Sequence, residues 1–295
     1  MIPLTTLWFC AKRMPRIFAL TFDFITVFLL AFVLVGCSNA KQLSTYLVSY
    51  KFNTDSPMYE IIETSFNSTQ STEGLQDVEI FAGYLGICFD NVPATISNTS
   101  ILCFDRKNVS NSAFYDDLAV KVFNIRSTNS TVTKSTELNI VQLAQDMSVE
   151  IVHPYILIAT IILALLMFCL ILYVTLPKVP GKGPANLALL ALCPIITLLW
   201  GIGAMCTHIA SKSSSEFIPA ASMNIIDVHK GSKAATMSWF SFSFLCIDCL
   251  ILWGLYFRDR KSLSKEIDNV RKSDQNPPKY ASDESSFSSR NYHYK

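Results

Sequence analysis

The stretch Ile161-Ile-Leu-Ala-Leu-Leu-Met-Phe-Cys-Leu-Ile-Leu-Tyr-Val174 decides the fold, because fourteen consecutive residues contain no charged side chain. It is the centre of an apolar run from Tyr155 to Leu176. At about 1.5 Å per residue, about 20 helical residues cross a hydrocarbon core of about 30 Å. The run therefore predicts a transmembrane helix.

Three further runs of similar length and composition surround this one. The chain as a whole is 51% hydrophobic and 16% charged, and its mean hydropathy of +0.34 is high for a soluble domain. The predicted spans are residues 17–36, 155–176, 185–206 and 236–257. The polar regions between and around them are residues 1–16, 37–154, 177–184, 207–235 and 258–295. This pattern predicts a four-helix membrane protein.

Glycosylation sequons assign one of these regions to a side of the membrane. The four N-x-[ST] sequons begin at Asn67, Asn98, Asn108 and Asn129, and all of them lie in the 37–154 loop. A single sequon is weak evidence, but four in one loop indicate a segment that passes through the secretory lumen. We therefore expect an extracellular, glycosylated first loop.

The basic residues that flank the spans agree with this orientation. They are concentrated before span one, between spans two and three, and after span four, at Lys12, Arg13, Arg16, Lys178, Lys182, Arg258, Arg260, Lys261 and Lys265. The positive-inside rule then predicts that both termini are cytoplasmic. A cleaved signal peptide is the alternative for the first run, and Leu34-Val-Gly-Cys37 resembles a lipoprotein cleavage box.

The first loop has the composition of a small β-sheet. Strand candidates rich in β-branched and aromatic residues occur at Leu43–Phe52, Val78–Phe89, Ser100–Phe104 and Leu118–Ile125. The stretch Ser135–Val152 has helical spacing and predicts a helix that leads into span two. Tetraspanins have their large domain in the second outside loop and connexins have two loops of comparable size. A large first loop with strands therefore favours a claudin-like four-helix bundle with an extracellular antiparallel sheet.

Two cysteines lie well inside the outside loops. Cys88 ends the segment Gly83-Tyr-Leu-Gly86-Ile-Cys88, and Cys103 follows after fourteen residues. An oxidising compartment favours their pairing, and closing a loop of about 15 residues contributes roughly 3 kcal/mol in the chain-entropy model. A purely structural link is one interpretation, and it is compatible with any function of the loop. Cys37 and Cys206, both near the outer face, are candidates for a second disulfide.

This cysteine and glycine pattern resembles that of a known family. Gly83, Gly86, Cys88 and Cys103 are similar to the signature of fungal claudin-like mating proteins, the calcium regulator and membrane fusion family, which includes the fission-yeast Dni proteins. The resemblance covers about residues 17–257. Animal claudins have Trp where this chain has Leu85, and a shorter cysteine spacing, so no role at epithelial junctions is implied.

The resemblance implies a function at the plasma membrane during mating. The implied role is non-enzymatic: cell fusion and cell-wall remodelling at the contact zone or mating-projection tip. Two alternatives are a regulator or component of low-affinity calcium influx, and a claudin-like scaffold of membrane domains. The implied partner is a claudin-like paralogue or a second copy of the chain.

Two acids lie inside the predicted spans, Asp23 in the first and Asp248 in the fourth. An intramembrane carboxylate is a functional-site hypothesis by default. Counted from the cytoplasmic ends at about 1.5 Å per residue, their depths of about 9 and 13 Å are similar, so they can face each other. Two interpretations are open: a cation path or proton-linked site, or carboxyl groups that hydrogen-bond to Ser or Thr on neighbouring helices.

The C-terminal region, residues 258–295, is polar and Ser-rich and is predicted to be disordered and cytoplasmic. It contains the PPxY segment formed by Pro277, Pro278 and Tyr280. Such a segment can adopt polyproline II and bind a WW domain. In fungi this resembles the docking site of a WW-domain ubiquitin ligase that drives endocytosis.

Other function classes find no support. The net charge of +1 does not favour nucleic-acid binding. The four histidines are scattered, no metal-ligand spacing or phosphate-binding glycine loop is present, and we expect no cofactor. An enzyme is the least favoured class.

Overall fold

A computed structural model of the chain describes residues 4–67, 72–111, 115, 118–125, 134–176 and 180–275. The chain divides into two units, residues 1–253 and 254–295. The sequon at Asn129 and the PPxY residues Pro277, Pro278 and Tyr280 lie outside the described residues.

The helices account for most of the chain. In the described residues they are α1 (Leu4–Val35), α2 (Tyr59–Asn67), α3 (Ile140–Asp146), α4 (Pro154–Thr175), α5 (Lys182–Ala221) and α6 (Ser232–Gln275). Four of these, α1, α4, α5 and α6, are long and apolar enough to cross a membrane. The prediction of four membrane-spanning helices is therefore confirmed.

The four long helices pack in a ring. Helix α4 lies against both α1 and α5. The rings of Phe22 on α1 and Phe244 on α6 stack with centroids 5.4 Å apart. The indole Nε1 of Trp200 on α5 donates a hydrogen bond to the Ser238 carbonyl on α6, at 3.2 Å. Each long helix therefore contacts two others.

Three helices extend beyond the predicted spans. Helix α1 begins at Leu4 and includes Pro15, α5 continues to Ala221, and α6 continues to Gln275. The prediction that disorder starts at residue 258 is therefore wrong for residues 258–275. Hydropathy marks where the bilayer ends, whereas a helix can continue through polar residues of good helix propensity.

The strands form two antiparallel sheets in the described residues. They are β1 (Val48–Phe52), β2 (Glu79–Ala82), β3 (Gly86–Asp90), β4 (Leu102–Asp105), β5 (Ala119–Ile125), β6 (Lys134–Asn139) and β7 (Ile226–Lys230). The five-stranded sheet has the order β4-β3-β2-β1-β7, and β5 and β6 form a separate pair. With the four long helices, this sheet confirms the predicted claudin-like fold.

The predicted strand Val78–Phe89 is in fact two strands. The chain turns at Gly83–Gly86, where the Gly83 N–H donates to the Gly86 carbonyl at 2.9 Å. The predicted helix Ser135–Val152 also begins too early, because its first residues pair in β6. Helix α3 starts only after Asn139, whose side-chain oxygen accepts from the Val141 N–H at 2.9 Å and caps the helix.

Strand β7 comes from the region 207–235, which was predicted only as a short second loop. It pairs with β1 over five residues, from Val48 with Lys230 to Phe52 with Ile226. The alternation of Ile226 and Val228 with Asp227 and His229 is a strand signal in the sequence. The segments between α1 and α4 and between α5 and α6 therefore both contribute to one sheet.

The five-stranded sheet has one apolar and one mixed face. The apolar face, which includes Tyr50, Ile80, Ile87 and Phe89, is buried, and α3 packs on β1 and β2. The opposite face, here the mixed face, carries polar and charged residues around a small buried cluster of Cys37, Phe81 and Cys88. This arrangement follows from the two-residue side-chain period of a strand.

Candidate functional site

The turn between β2 and β3, residues 83–86, is here called the hairpin tip. It packs against the end of α1, at a distance that leaves no room for a side chain. A Cβ added to Gly83 would lie 2.5 Å from the Gly36 carbonyl oxygen, and one added to Gly86 would lie 2.2 Å from the Cys37 carbonyl oxygen. The two glycines therefore allow direct backbone contact between sheet and span one.

Buried hydrogen bonds hold the hairpin tip on its other sides. The Ser148 hydroxyl, in the π-helical turn Met147–Ile151 before α4, donates to the Gly83 carbonyl at 2.7 Å. The guanidinium Nη1 of buried Arg106 donates to the Ser148 carbonyl at 2.8 Å. The Arg106 N–H donates to the Leu85 carbonyl at 3.1 Å. These bonds connect the tip, β4 and the approach to α4.

Tyr84, at the centre of the hairpin tip, reaches the third helix of the bundle. Its hydroxyl lies 2.9 Å from the Thr207 hydroxyl on α5. Burial raises the pKa of Tyr84 to about 12, so the phenol remains neutral and able to donate. The hairpin tip thus contacts α1, the approach to α4, and α5.

The disulfide joins β3 to β4 immediately beyond the hairpin tip. Cys88 and Cys103 are direct partners in the register of the two strands, and their sulfur atoms are bonded. Cys88 Sγ also lies 3.1 Å from the Cys37 carbonyl oxygen. The family-like residues Gly83, Gly86, Cys88 and Cys103 are thus brought together at one junction.

Cys37 is a free, buried cysteine beside this disulfide, and Cys206 is free and exposed. The expectation of a second disulfide between them is therefore wrong. Burial raises the pKa of the Cys37 thiol to about 12. Only a thiolate attacks a disulfide efficiently. The neutral Cys37 thiol therefore does not exchange readily with the Cys88–Cys103 disulfide.

The mixed face of the sheet is a further candidate region, and it carries several charged groups. The Lys51 amine lies 3.6 Å from a carboxylate oxygen of Asp227, and His229 lies 3.1 Å from the same oxygen. Glu79 and Asp90 are direct cross-strand partners on this face. The sequon residues Asn67, Asn98 and Asn108 are all exposed. The mixed face is therefore a polar surface, and the sequon residues that the structure describes are accessible to solvent.

The intramembrane acids form a second candidate site. Asp23 on α1 and Asp248 on α6 are both completely buried. Neither carboxylate has a hydrogen-bond partner in the described residues. The structure therefore places both acids in the interior of the bundle.

The interpretation that these acids hydrogen-bond to Ser or Thr on neighbouring helices is wrong for the described residues. The nearby hydroxyls donate within their own helices instead: Thr26 to the Phe22 carbonyl at 2.8 Å, and Ser241 to the Met237 carbonyl at 2.8 Å. A Ser or Thr on a helix has an acceptor one turn back, so it does not need the acid. Two buried carboxylates without a hydrogen-bond partner are costly unless a proton or a cation neutralises them.

Sequence reasoning missed several residues of the hairpin-tip junction. Arg106, Ser148 and Tyr84 lie far apart in the chain, and their partners are mainly backbone carbonyls, which have no sequence signature. Gly36 was considered only as part of the segment Leu34-Val-Gly-Cys37, which resembles a lipoprotein box and also supports the family resemblance, and it was given no packing role. Its added Cβ would lie 2.1 Å from the Thr45 carbonyl oxygen, so the structure gives it a packing role.

We predict that Gly86→Ala destabilises the junction. The methyl group has to displace the backbone of Cys37, and overpacking of this kind costs about 1–3 kcal/mol. Thermal unfolding of the detergent-purified protein and its amount at the cell surface measure the effect. Gly183→Ala is the matched control, because an added Cβ there meets nothing within 4 Å. Equal unfolding temperatures for the two variants would contradict the role assigned to Gly86.

Comparison with known proteins identifies the family to which the chain is similar. Residues 64–258 match the family described as Ca2+ regulator and membrane fusion protein Fig1. The chain is 48% identical over 297 residues to the Factor-induced gene 1 protein of Saccharomyces cerevisiae, covering 98% of this chain and 100% of the relative. No solved structure matches the chain.

The resemblance inferred from the glycine and cysteine pattern is thereby confirmed. The family match includes the hairpin tip, the disulfide and three of the four spans. The four long apolar helices make this a membrane protein. The chain belongs to the Ca2+ regulator and membrane fusion protein Fig1 family.

Proposed function

We propose that this protein promotes cell fusion during mating, without catalysis, from the plasma membrane of the contact zone. The observation that carries the proposal is the disulfide-linked sheet, attached at its hairpin tip to three parts of the helical bundle. Its membership in a membrane fusion family supports the same role. Both termini are then cytoplasmic, and the sheet faces the opposing cell.

The physical contribution of the sheet is a rigid binding surface. Its apolar face is buried, so a partner meets the mixed face and the exposed loops. A surface that is already ordered loses little conformational entropy on binding. The partner is a claudin-like paralogue or a second copy of this chain on the opposing membrane.

The acidic pair on the mixed face provides a test. Glu79 and Asp90 are half-buried and directly opposite each other. In the Glu79→Lys/Asp90→Lys variant, two like charges still face each other across the strands, so repulsion within the sheet is similar. The charge that a binding partner meets on the mixed face changes from negative to positive. The variant therefore separates recognition from folding.

We predict that cells lacking the gene form mating pairs but fail to mix their cytoplasms. Wild-type protein should restore mixing, whereas Glu79→Lys/Asp90→Lys should lower it by about tenfold, the effect of losing about 1.4 kcal/mol of binding. The fraction of pairs that exchange a cytoplasmic fluorescent protein measures this, normalised to surface protein. Asp55→Lys/Glu73→Lys is the control, since it makes the same charge change at exposed sites outside the strands.

Two results would contradict this assignment. Arrest before pair formation would place the protein at an earlier step of mating. Equal fusion by the sheet variant and the control variant would mean that the mixed face contacts no partner.

Regulation of calcium influx is a second candidate, favoured by the buried Asp23 and Asp248. A permeating cation would compensate the two carboxylates during passage between α1 and α6. Tight calcium binding needs six to eight oxygen ligands, and no group of three or more His, Cys, Asp or Glu side chains in the described residues could hold a metal. The pair therefore suits a transient cation contact better than a storage site.

We predict that Asp23→Asn/Asp248→Asn lowers calcium uptake at least severalfold while the protein still reaches the surface. Asparagine keeps the size of aspartate but removes its charge. Uptake of radioactive calcium into mating-stimulated cells measures the change. Thr26→Val is the control, because it removes a buried hydroxyl on the same helix without removing an acid. Unchanged uptake in the double variant would exclude the ion path.

We also propose that the segment Pro277, Pro278 and Tyr280 recruits a WW-domain ubiquitin ligase that limits the time the protein spends at the surface. The aromatic ring of a PPxY motif fills the WW groove, so its loss should abolish binding. We predict a longer surface lifetime for Tyr280→Ala in a pulse-chase measurement. Tyr292→Ala, in the same tail but outside the motif, should turn over like the wild type. An unaltered rate for Tyr280→Ala would count against the ligase.

A further inference from the structure

A groove of about 420 Å³ opens where β7 leads into α6. It lies on the sheet side of the bundle, at the start of Ser232–Lys261, the part of α6 that is long and apolar enough to cross a membrane. The residues that define its chemistry are His208, Lys230, Ser232, Thr236, Trp239 and Phe240. All of them belong to the unit formed by residues 1–253.

The end of the groove nearest the sheet is cationic. Lys230, the last residue of β7, is half-buried, and no acidic side chain lines the groove. The nearest acid along the strand, Asp227, lies on the mixed face and contacts Lys51 and His229 instead. Within the described part of the chain, Lys230 has no ion-pair partner. A negatively charged group would therefore be attracted to this end.

Two further features at this end favour an anion. The ring nitrogen Nδ1 of His208 is buried and has no hydrogen-bond partner in the described residues. Helix α6 begins at Ser232, so the positive end of its dipole adds to the field of Lys230. The same junction therefore offers a charged donor, an unused imidazole nitrogen and a favourable helix dipole.

The other end of the groove is aromatic and faces the lipid. Trp239 and Phe240 are exposed by 41% and 56%, although both lie within the span Ser232–Lys261. The His208 ring packs edge-on against Trp239 with centroids 5.9 Å apart. Tryptophan at a membrane boundary is typical of the headgroup region of a bilayer. The groove is thus amphiphilic along its length.

We propose that this groove binds a membrane phospholipid, with the phosphate at Lys230 and His208 and an acyl chain along Trp239 and Phe240. A cationic end at the membrane boundary and an apolar end within the span match the two parts of such a lipid. Free phosphate would use only the first part, and a sterol or diacylglycerol only the second. Because one groove has both a cationic and an apolar end, a phospholipid fits it better than either of these ligands.

The test uses the purified full-length chain in detergent and native mass spectrometry. The probes are dioctanoyl phosphatidic acid and dioctanoylglycerol, which has the same chains but no phosphate. We expect phosphatidic acid to bind, and Lys230→Gln to weaken it by about tenfold, the usual effect of losing a charge-assisted hydrogen bond. Lys230→Arg should restore most of the affinity, which separates loss of charge from loss of fold.

Lys233→Gln is the matched control, because Lys233 is an exposed lysine in the first turn of α6 that does not line the groove. It should bind the lipid like the wild type. Equal losses for Lys230→Gln and Lys233→Gln would overturn the site. So would equal binding of dioctanoylglycerol, or displacement of the lipid by inorganic phosphate, which would make the groove an anion site.

Discussion

The contact on which the rest of the structure depends is the backbone approach between the hairpin tip and the end of α1. Gly83 and Gly86 bring their main chain against the carbonyls of Gly36 and Cys37. This contact sets the height of the sheet above the bundle. The hydrogen bonds of Ser148 and Tyr84 then fix its orientation. The disulfide keeps β3 and β4 paired beside the contact, so the signature residues serve one junction.

The sequence predicts features that depend on neighbouring residues better than features that join residues far apart in the chain. Hydropathy is a local property, so the spans were recognised, and the pattern Gly83–Cys88 marked the loop that contains the sheet. Strand β7 was missed because its pairing joins residues as far apart as Val48 and Lys230. The ends of α5 and α6 were placed too early because apolar composition reports the bilayer and not the helix. Hydrogen bonding at Asp23 and Asp248 was misjudged because the neighbouring hydroxyls already have acceptors on their own helices.

The sheet also connects the two helices that carry the buried acids. Strand β1 follows α1 closely, β7 immediately precedes α6, and β1 and β7 are neighbours. The sheet therefore links, through β1 and β7, the two spans that contain Asp23 and Asp248. In the calcium role proposed above, this link is the route by which binding to the sheet would change the environment of the acids. The two proposed functions, cell fusion and calcium influx, are therefore compatible with one fold.

The position of β7 has a consequence for how the protein is made. The ribosome produces β1 well before β7, so one edge of β1 has no neighbour until residue 230 has been synthesised. An unpaired edge is a site for mispairing and aggregation. The Cys88–Cys103 bond needs only β3 and β4, and it can form long before that point. Assembly of the five-stranded sheet therefore finishes only after α5 has been synthesised, and until then β1 has an open edge.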